Sequence, residues 1–263
     1  MDLASIIGIV VAVVIVFAVQ ILEGGNPASI ILIPSMLLVF GGAFMAAMAG
    51  GVMKDAIGIG KLFQKALLAK VAPPTKLVDE VVKLAERARR EGLLALEDAV
   101  KTVEHPFLKR GLQLAIDGTD PEELHDILHA EIGAKKKADK AGKKIFENMG
   151  GYAPTVGIIG TVMGLVHVLE NLDKPESLGH SIAAAFVATL WGVLSANLIF
   201  LPMAARLDRL TGIEVDEMEL VIDGVLAIQA GSNPRLVAQK LRSLLPPDAA
   251  AAAEVAASNK KAA

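Results

Sequence analysis

Three threonines lie in two long uncharged stretches of this sequence, and their hydroxyl groups are the polar atoms best placed for chemistry. Thr155 and Thr161 lie in the uncharged stretch 150–169, and Thr189 lies in the uncharged stretch 181–205. Hydroxyl and carbonyl oxygens are the ligands that hard cations favour. If the chain moves ions, these threonines are therefore the candidates to line the ion pathway, although each hydroxyl could instead bond to a carbonyl of its own helix.

Each of the same two stretches also contains one proline. Pro154 and Pro202 have no backbone N–H, so the carbonyls of Gly150 and Leu198 lose their usual helical partners. An unpaired backbone carbonyl is costly in lipid unless another group satisfies it. Both helices are therefore predicted to be interrupted and bent near a polar or mobile site, the alternative being a simple kink without function.

Length and composition make each stretch a membrane-spanning helix. Both can cross a hydrocarbon core about 30 Å thick at about 1.5 Å per residue. Two more apolar runs, 3–22 and 29–53, predict a first hairpin, so we expect an all-α membrane protein with four spans. Small residues at helical spacing predict close packing in the second hairpin; they are Gly160, Gly164, Ala184, Ala188, Gly192 and Ala196.

Basic residues predict the orientation of the spans. Of the 26 lysines and arginines, 18 fall between Lys54 and Lys144, seven follow Ala205, and only Lys174 falls in a hairpin turn. The positive-inside rule then places both termini and the 54–148 region in the cytoplasm. The predicted divisions are a first hairpin (1–53), a cytoplasmic helical domain (54–148), a second hairpin (149–205), a cytoplasmic helical extension (206–247) and a disordered tail (248–263).

Helix-start signals divide the cytoplasmic regions. We expect residues 54–70 to continue the second span, and Thr75 to cap the next helix, which would end near Gly92. Asp120 is predicted to cap a helix that runs into the third span without a clear stop. Ser232 is predicted to cap the last helix.

Other motifs do not point to catalysis. The chain has no cysteine and no set of nucleophile, base and orienting group, so an enzyme is not expected. GIGK at 58–61 lacks the remaining positions of a phosphate loop. His125 and His129 have a spacing that can hold zinc but lack further ligands, so we predict no metal site. The lysine run 135–144 has no interleaved aromatic residues and predicts contact with anionic lipid and not with nucleic acid.

None of the four spans contains Asp, Glu, Lys or Arg in its interior. Ionisable groups inside spans usually mark ion pathways. If the chain moves ions, the carboxylate must therefore come from a partner.

Four sequence blocks resemble the MotA branch of the MotA/TolQ/ExbB family. They are YAPTVGIIGTVMGLVHVLENL, AAAFVATLWGVLSANLIFLPMA, RREGLLALE at 89–97 and GSNPRLVAQKL at 231–241. The resemblance covers nearly the whole chain. TolQ and ExbB share the hairpin but have three spans, so the four spans and the 89–97 segment indicate the MotA branch.

The resemblance implies a flagellar stator subunit in the bacterial inner membrane. Five copies would ring two copies of a MotB-like single-span partner, whose transmembrane Asp supplies the missing carboxylate. Pro154 and Pro202 match the family's conformational prolines, and Arg89 and Glu97 match its contacts with a FliG-like rotor protein. Sodium-driven members are similar at Thr161 and Thr189, and the ion, proton or sodium, stays open.

No cofactor is expected beyond the translocated ion. Two other functions remain open from the sequence. One is an energy transducer like TolQ and ExbB, and the other is a membrane scaffold that does not conduct, against which the interior hydroxyls and prolines argue.

Overall fold

The computed structural model describes residues 4–70, 73–173, 175–247 and 249–250. Every regular element in those ranges is helical. The α-helices are α1 (Ala4–Leu22), α2 (Ile33–Met36), α3 (Gly42–Ala49), α4 (Met53–Leu68), α5 (Pro74–Glu91), α6 (Leu96–Thr102), α7 (Pro106–Ile116), α8 (Pro121–Glu170), α9 (Pro175–Ser195), α10 (Leu201–Gln229) and α11 (Pro234–Ser243). Short 3₁₀ turns cover Pro27–Ile30 and Leu93–Ala95, and π-helical segments cover Leu37–Gly41 and Ala196–Phe200.

Among the residues that the structure describes, four helical stretches are long and apolar enough to cross a membrane: Ser5–Leu22, Pro27–Ala49, Pro121–Glu170 and Leu178–Gln229. The prediction of an all-α chain with four spans is therefore confirmed. Lys174, in the second hairpin turn, lies outside the described residues, as do 248 and 251–263 of the predicted tail. The five-part division of the chain stays a prediction.

The chain divides into two compact units, the first made of residues 1–70 and 138–210. Its buried core gathers aliphatic and aromatic side chains and one methionine, including Val39, Ala43, Phe146, Ala153, Trp191 and Met203. The Trp191 indole N–H donates a 2.6 Å hydrogen bond to the Ile30 carbonyl, near the first residues of the second span. This bond fixes the second span against α9, because a buried indole N–H needs an acceptor.

The second unit consists of residues 71–137 and 211–263 and has a separate aliphatic core. Val81 of α5, Leu96 of α6 and Leu108 of α7 are fully buried there, together with Leu128 of α8 and Val225 of α10. Leu77, Val81 and Leu84 lie on the buried side of α5, as their spacing predicts.

The prediction that 54–70 continues the second span is wrong. The span ends at Ala49, and α4 begins afresh at Met53 after an extended Val52 with φ −113° and ψ 148°. The two glycines at 50 and 51 explain the break, because glycine gains the most backbone freedom on leaving a helix.

Two predicted helix caps are also wrong, and in both cases a proline at the first helical position sets where the helix begins. Pro73 and not Thr75 precedes α5, because Pro74 fits the first helical position. The last helix is capped by Asn233 and not by Ser232; the Asn233 side chain accepts a 3.0 Å bond from the Arg235 N–H. A residue before proline is driven to the extended conformation that a cap requires.

The other boundaries are confirmed. The Asp120 carboxylate accepts a 2.9 Å bond from the Glu122 N–H at the start of α8, which then runs to Glu170 as one helix. Gly92 ends α5 with φ +87°, a conformation that favours glycine.

Candidate functional site

Helices α8 and α9 approach each other backbone to backbone in the second hairpin. A Cβ atom at Gly192 would lie 2.7 Å from the Ala153 carbonyl oxygen, and one at Gly157 would lie 2.8 Å from the Ala188 carbonyl oxygen. At Gly164 it would lie 2.6 Å from the Ala185 Cβ. Glycine is therefore the only residue that fits these positions without separating the helices, and the predicted close packing is confirmed.

The hydroxyls of Thr161 and Thr189 meet across this interface, with their Oγ1 atoms 2.5 Å apart. The Thr161 Oγ1 also lies 2.9 Å from the Ala185 carbonyl oxygen. Both hydroxyls lie 3.3 Å from the Gly157 carbonyl oxygen. Four oxygen atoms from two helices therefore gather at one place, and both threonine side chains are half-buried.

The proton count of this cluster limits what it can do. Each hydroxyl has one proton, so when Thr161 donates to the Ala185 carbonyl, Thr189 must donate to Thr161. The cluster carries no formal charge and no group that exchanges a proton near neutral pH. It can offer oxygen ligands to a cation or order water, but a cation that took both hydroxyl oxygens would have to break the bond between the threonines.

Thr155 does not join this cluster. Its hydroxyl donates a 2.8 Å bond to the Tyr152 carbonyl of the same helix, and its side chain is exposed. Six residues separate it from Thr161, which is about 9 Å along an α-helix. The assignment of Thr155 to an ion pathway stays a prediction, and its bond within α8 matches the alternative stated for it.

The two prolines have different surroundings. Pro154 does not interrupt its helix, so that prediction is wrong: α8 continues through it, and a Cβ at Gly192 would lie 3.2 Å from the Pro154 Cα. Pro202 follows the π segment Ala196–Phe200, where the Leu201 N–H donates to the Ala196 carbonyl five residues back. The wider turn accommodates a proline, because the proline ring would clash with a regular preceding turn.

Arg89 and Glu97 are both exposed but lie on separate helices. Arg89 is in the last turn of α5 and Glu97 in the first turn of α6, with Gly92 at the break between them. On one unbroken helix the eight-residue spacing would place the two side chains about 80° apart, and the break at Gly92 removes that geometry. The exposed Leu94 lies in the connecting turn, so the segment presents an apolar side chain between the two charges.

Carboxylates of the protein neutralise most of the lysine run on α8. Lys143 lies 3.0 Å from Asp208, Lys144 lies 3.3 Å from Glu147, and Lys136 lies 3.7 Å from Glu219. Lys135 is paired with Glu214. The hydrogen bond that Lys143 donates to the Asp208 carboxylate raises the pKa of Lys143. Anionic lipid is therefore not needed to balance these four lysines.

A second group of titratable side chains lines a cavity of about 670 Å³ in the second unit, among them His105, Arg110, Glu131 and Glu217. Burial raises the pKa of the Glu217 carboxyl, and nearby Glu214 adds to that rise. Burial lowers the pKa of His105. His125 and His129 lie elsewhere on α8, with ring centroids 5.4 Å apart, and no group of three potential metal ligands gathers anywhere in the described residues.

Sequence reasoning missed several residues of the hairpin interface. Gly157 and Ala185 lie at the closest approach but fall outside the four-residue spacing that identified the others. Ser195 is fully buried, with its Oγ 3.3 Å from the Gly192 carbonyl. Trp191 could have been selected from the sequence, because it is the only tryptophan of the chain and lies inside an uncharged span.

Comparisons with known proteins support these features. The family model described as the MotA/TolQ/ExbB proton channel family matches residues 99–220. "Motility protein A" of Bacillus subtilis is 36% identical over 94% of this chain and 92% of its own length. "Chemotaxis protein PomA" of Vibrio alginolyticus is 33% identical over 93% of this chain and 96% of its own length.

A solved structure resembles the whole fold. It is that of C. jejuni MotAB, with a TM-score of 0.90 and 31% identity, covering 94% of this chain and 97% of the matched chain. The sequence relatives and this structure agree on almost the full length of the chain. This chain therefore belongs to the MotA/TolQ/ExbB proton channel family.

Proposed function

We propose that this chain is the four-span membrane subunit of a flagellar stator, which forms an ion channel with a MotB-like partner and converts ion flow into torque. The observation that carries the proposal is the oxygen cluster around Thr161 and Thr189, at the closest approach of two spans, 150–169 and 181–205, that contain no carboxylate. The likeness to MotAB over 94% of the chain supports it. The four apolar spans are those of a multi-pass inner-membrane protein.

The partner would supply the one group that the spans lack. A transmembrane Asp can take up and release a proton or bind a sodium ion, whereas threonine hydroxyls and backbone carbonyls cannot exchange a proton near neutral pH. We further propose that five copies ring two partner chains, that both termini are cytoplasmic, and that a FliG-like rotor protein contacts the cytoplasmic helices. No cofactor or enzymatic step enters this scheme.

Ion flux in liposomes tests the need for a partner. We expect the chain alone to conduct neither protons nor sodium above the background of empty liposomes, because its spans hold no carboxylate. Liposomes that contain the chain together with a MotB-like partner should conduct. The matched control carries Asn in place of the partner's membrane Asp and should be silent. Robust flux through the chain alone would contradict the proposal.

Charge reversal at Arg89 and Glu97 tests the rotor contact. We expect Arg89→Glu or Glu97→Lys to impair swimming while leaving the amount of protein in the membrane unchanged, because both side chains are exposed and exposed pairs contribute little to stability. Swimming speed and membrane levels are the measurements. Reversal of Lys101, an exposed residue paired with Asp98 on the same short helix, is the control and should change neither. Disappearance of the Arg89 or Glu97 variant from the membrane would make the pair structural.

A further inference from the structure

Two of the four spans contain a π-helical segment. In the second span it covers Leu37–Gly41, and in the fourth it covers Ala196–Phe200. A π segment holds one residue more than the regular helix around it, and such segments are rare and frequent at functional sites. Pro202 accounts for the second segment. The first segment has no proline after it, so a local sequence effect of that kind does not explain it.

Aromatic side chains join the two π segments directly. The ring of Phe40 lies 5.9 Å from the ring of Phe200, centroid to centroid, in an edge-on arrangement. Phe40 also lies 5.9 Å from the ring of Trp191. Edge-on and tilted ring pairs at this distance are attractive beyond the area that they bury. The irregular turn of the second span therefore packs on the irregular turn of the fourth.

The first π segment also contacts the third span. A Cβ at Gly160 would lie 2.8 Å from the Leu38 Cδ2, and one at Gly42 would lie 2.9 Å from the Val156 Cγ1. Val156 lies two residues beyond Pro154, and Gly160 immediately precedes Thr161. The segment Leu37–Gly41 and the adjoining Gly42 thus contact the neighbourhood of both prolines and of the hydroxyl cluster.

We propose that the two π segments form a paired hinge. In this hinge the backbone hydrogen bonds of the second span and those of the fourth span shift together between α and π patterns. A π segment can exchange its extra residue with the adjoining turn by switching N–H donors between acceptors four and five residues back. The two patterns meet at the ends of the segments: the Leu201 N–H donates to the Ala196 carbonyl five residues back, whereas the Gly42 N–H donates to the Leu38 carbonyl four residues back and to the Val39 carbonyl three residues back. The Phe40–Phe200 contact would make a shift in one segment favour a shift in the other.

This hinge deepens the proposed function, because it assigns the second span to the moving part of the channel and not to a passive anchor. The interior of a packed helical pair has two discrete arrangements and does not deform continuously. A paired shift at residues 37–41 and 196–200 would move the helix that carries Thr189 against the helix that carries Thr161.

Amide hydrogen exchange in the purified complex of this chain with its partner tests the coupling. We expect Phe40→Leu, a change confined to the second span, to speed exchange at 196–200 in the fourth span by roughly tenfold, as well as at 37–41. The matched control is Phe44→Leu, one turn further along the second span in the regular helix α3, which should leave 196–200 unchanged. Phe200→Leu should give the reverse effect, faster exchange at 37–41.

Swimming then separates the inference from the function on which it rests. We expect Phe40→Leu to reduce swimming speed at normal membrane levels. Unchanged exchange at 196–200 in Phe40→Leu, or an equal increase in Phe44→Leu, would overturn the coupling. Coupled exchange with unaffected swimming would overturn its role in the motor. A strain that swims normally without the chain, by contrast, would refute the proposed function and leave the exchange result standing.

Discussion

Replacing Gly192 with alanine is expected to force apart the two helices of the second hairpin and to prevent normal assembly. The added Cβ would lie 2.7 Å from the Ala153 carbonyl oxygen, 3.1 Å from the Gly157 Cα and 3.2 Å from the Pro154 Cα. All three are backbone atoms, which cannot move aside as a flexible side chain does. Overpacking of a well-packed interior costs about 1–3 kcal/mol, and a backbone clash belongs at the upper end of that range.

The measurement is the amount of complex in the membrane and its melting temperature after purification in detergent. Gly8→Ala is the matched control, since Gly8 also lies within a span but has no atom within 4 Å of where a Cβ would stand. That change should be neutral, or stabilising by up to about 1 kcal/mol, because alanine is the better helix former. A Gly192→Ala complex that assembles and melts like the wild type would show that the helices are farther apart than the structure has them.

The comparison of Gly192 with Gly157 shows how far the sequence predicts this interface. Small residues every four positions select Gly192, Ala188, Gly160 and Gly164, because that spacing places them on one helix face. Gly157 comes three residues before Gly160 and shares the same contact. A face on one helix can be predicted from periodicity, whereas the residue at the point of closest approach depends on the crossing angle of both helices.

The number and length of the spans could be predicted because bilayer thickness dictates them, and all four apolar runs satisfy that length. Boundaries set by one residue could not be predicted as well. The cap before Pro74 lies two positions from the predicted one and the cap before Pro234 lies one position from it, since proline both fits the first turn and extends the residue before it. The π segment at Leu37–Gly41 adds one residue without changing the apolar composition of the span, so hydropathy carries no sign of it.

The threonines were predicted as a set, and the structure separates them. Thr161 and Thr189 are 28 positions apart and meet only because the glycine contacts set the register of the two helices. Thr155 is closer to Thr161 along the chain but bonds to its own helix. Sequence spacing within one helix therefore identified candidate hydroxyls, while the pairing between helices needed the packing.

The hydrogen bonds of this pair predict unequal effects of removing the two hydroxyls if sodium is the transported ion. We expect Thr161→Val to abolish motility, because the Thr161 hydroxyl contacts all three other oxygen atoms of the cluster, those of Ala185, Gly157 and Thr189. Thr189→Val should only raise the sodium concentration needed for swimming, because the 2.9 Å bond between Thr161 and Ala185 survives it. Valine keeps the shape of threonine, because a methyl group takes the place of the hydroxyl.

Swimming speed as a function of external sodium, with complex levels in the membrane, is the measurement for both variants. Thr161→Ser is the control that retains the oxygen and should retain motility, and Thr155→Val should have little effect because that hydroxyl bonds only within its helix turn. A proton route requires no shell of oxygen ligands around the Asp that we propose for the partner. Motility that is independent of external sodium and collapses with a protonophore would therefore make the hydroxyl pair a packing or water-ordering contact. In that case Thr161→Val should swim, because the glycine contacts that hold the two helices together do not involve its hydroxyl.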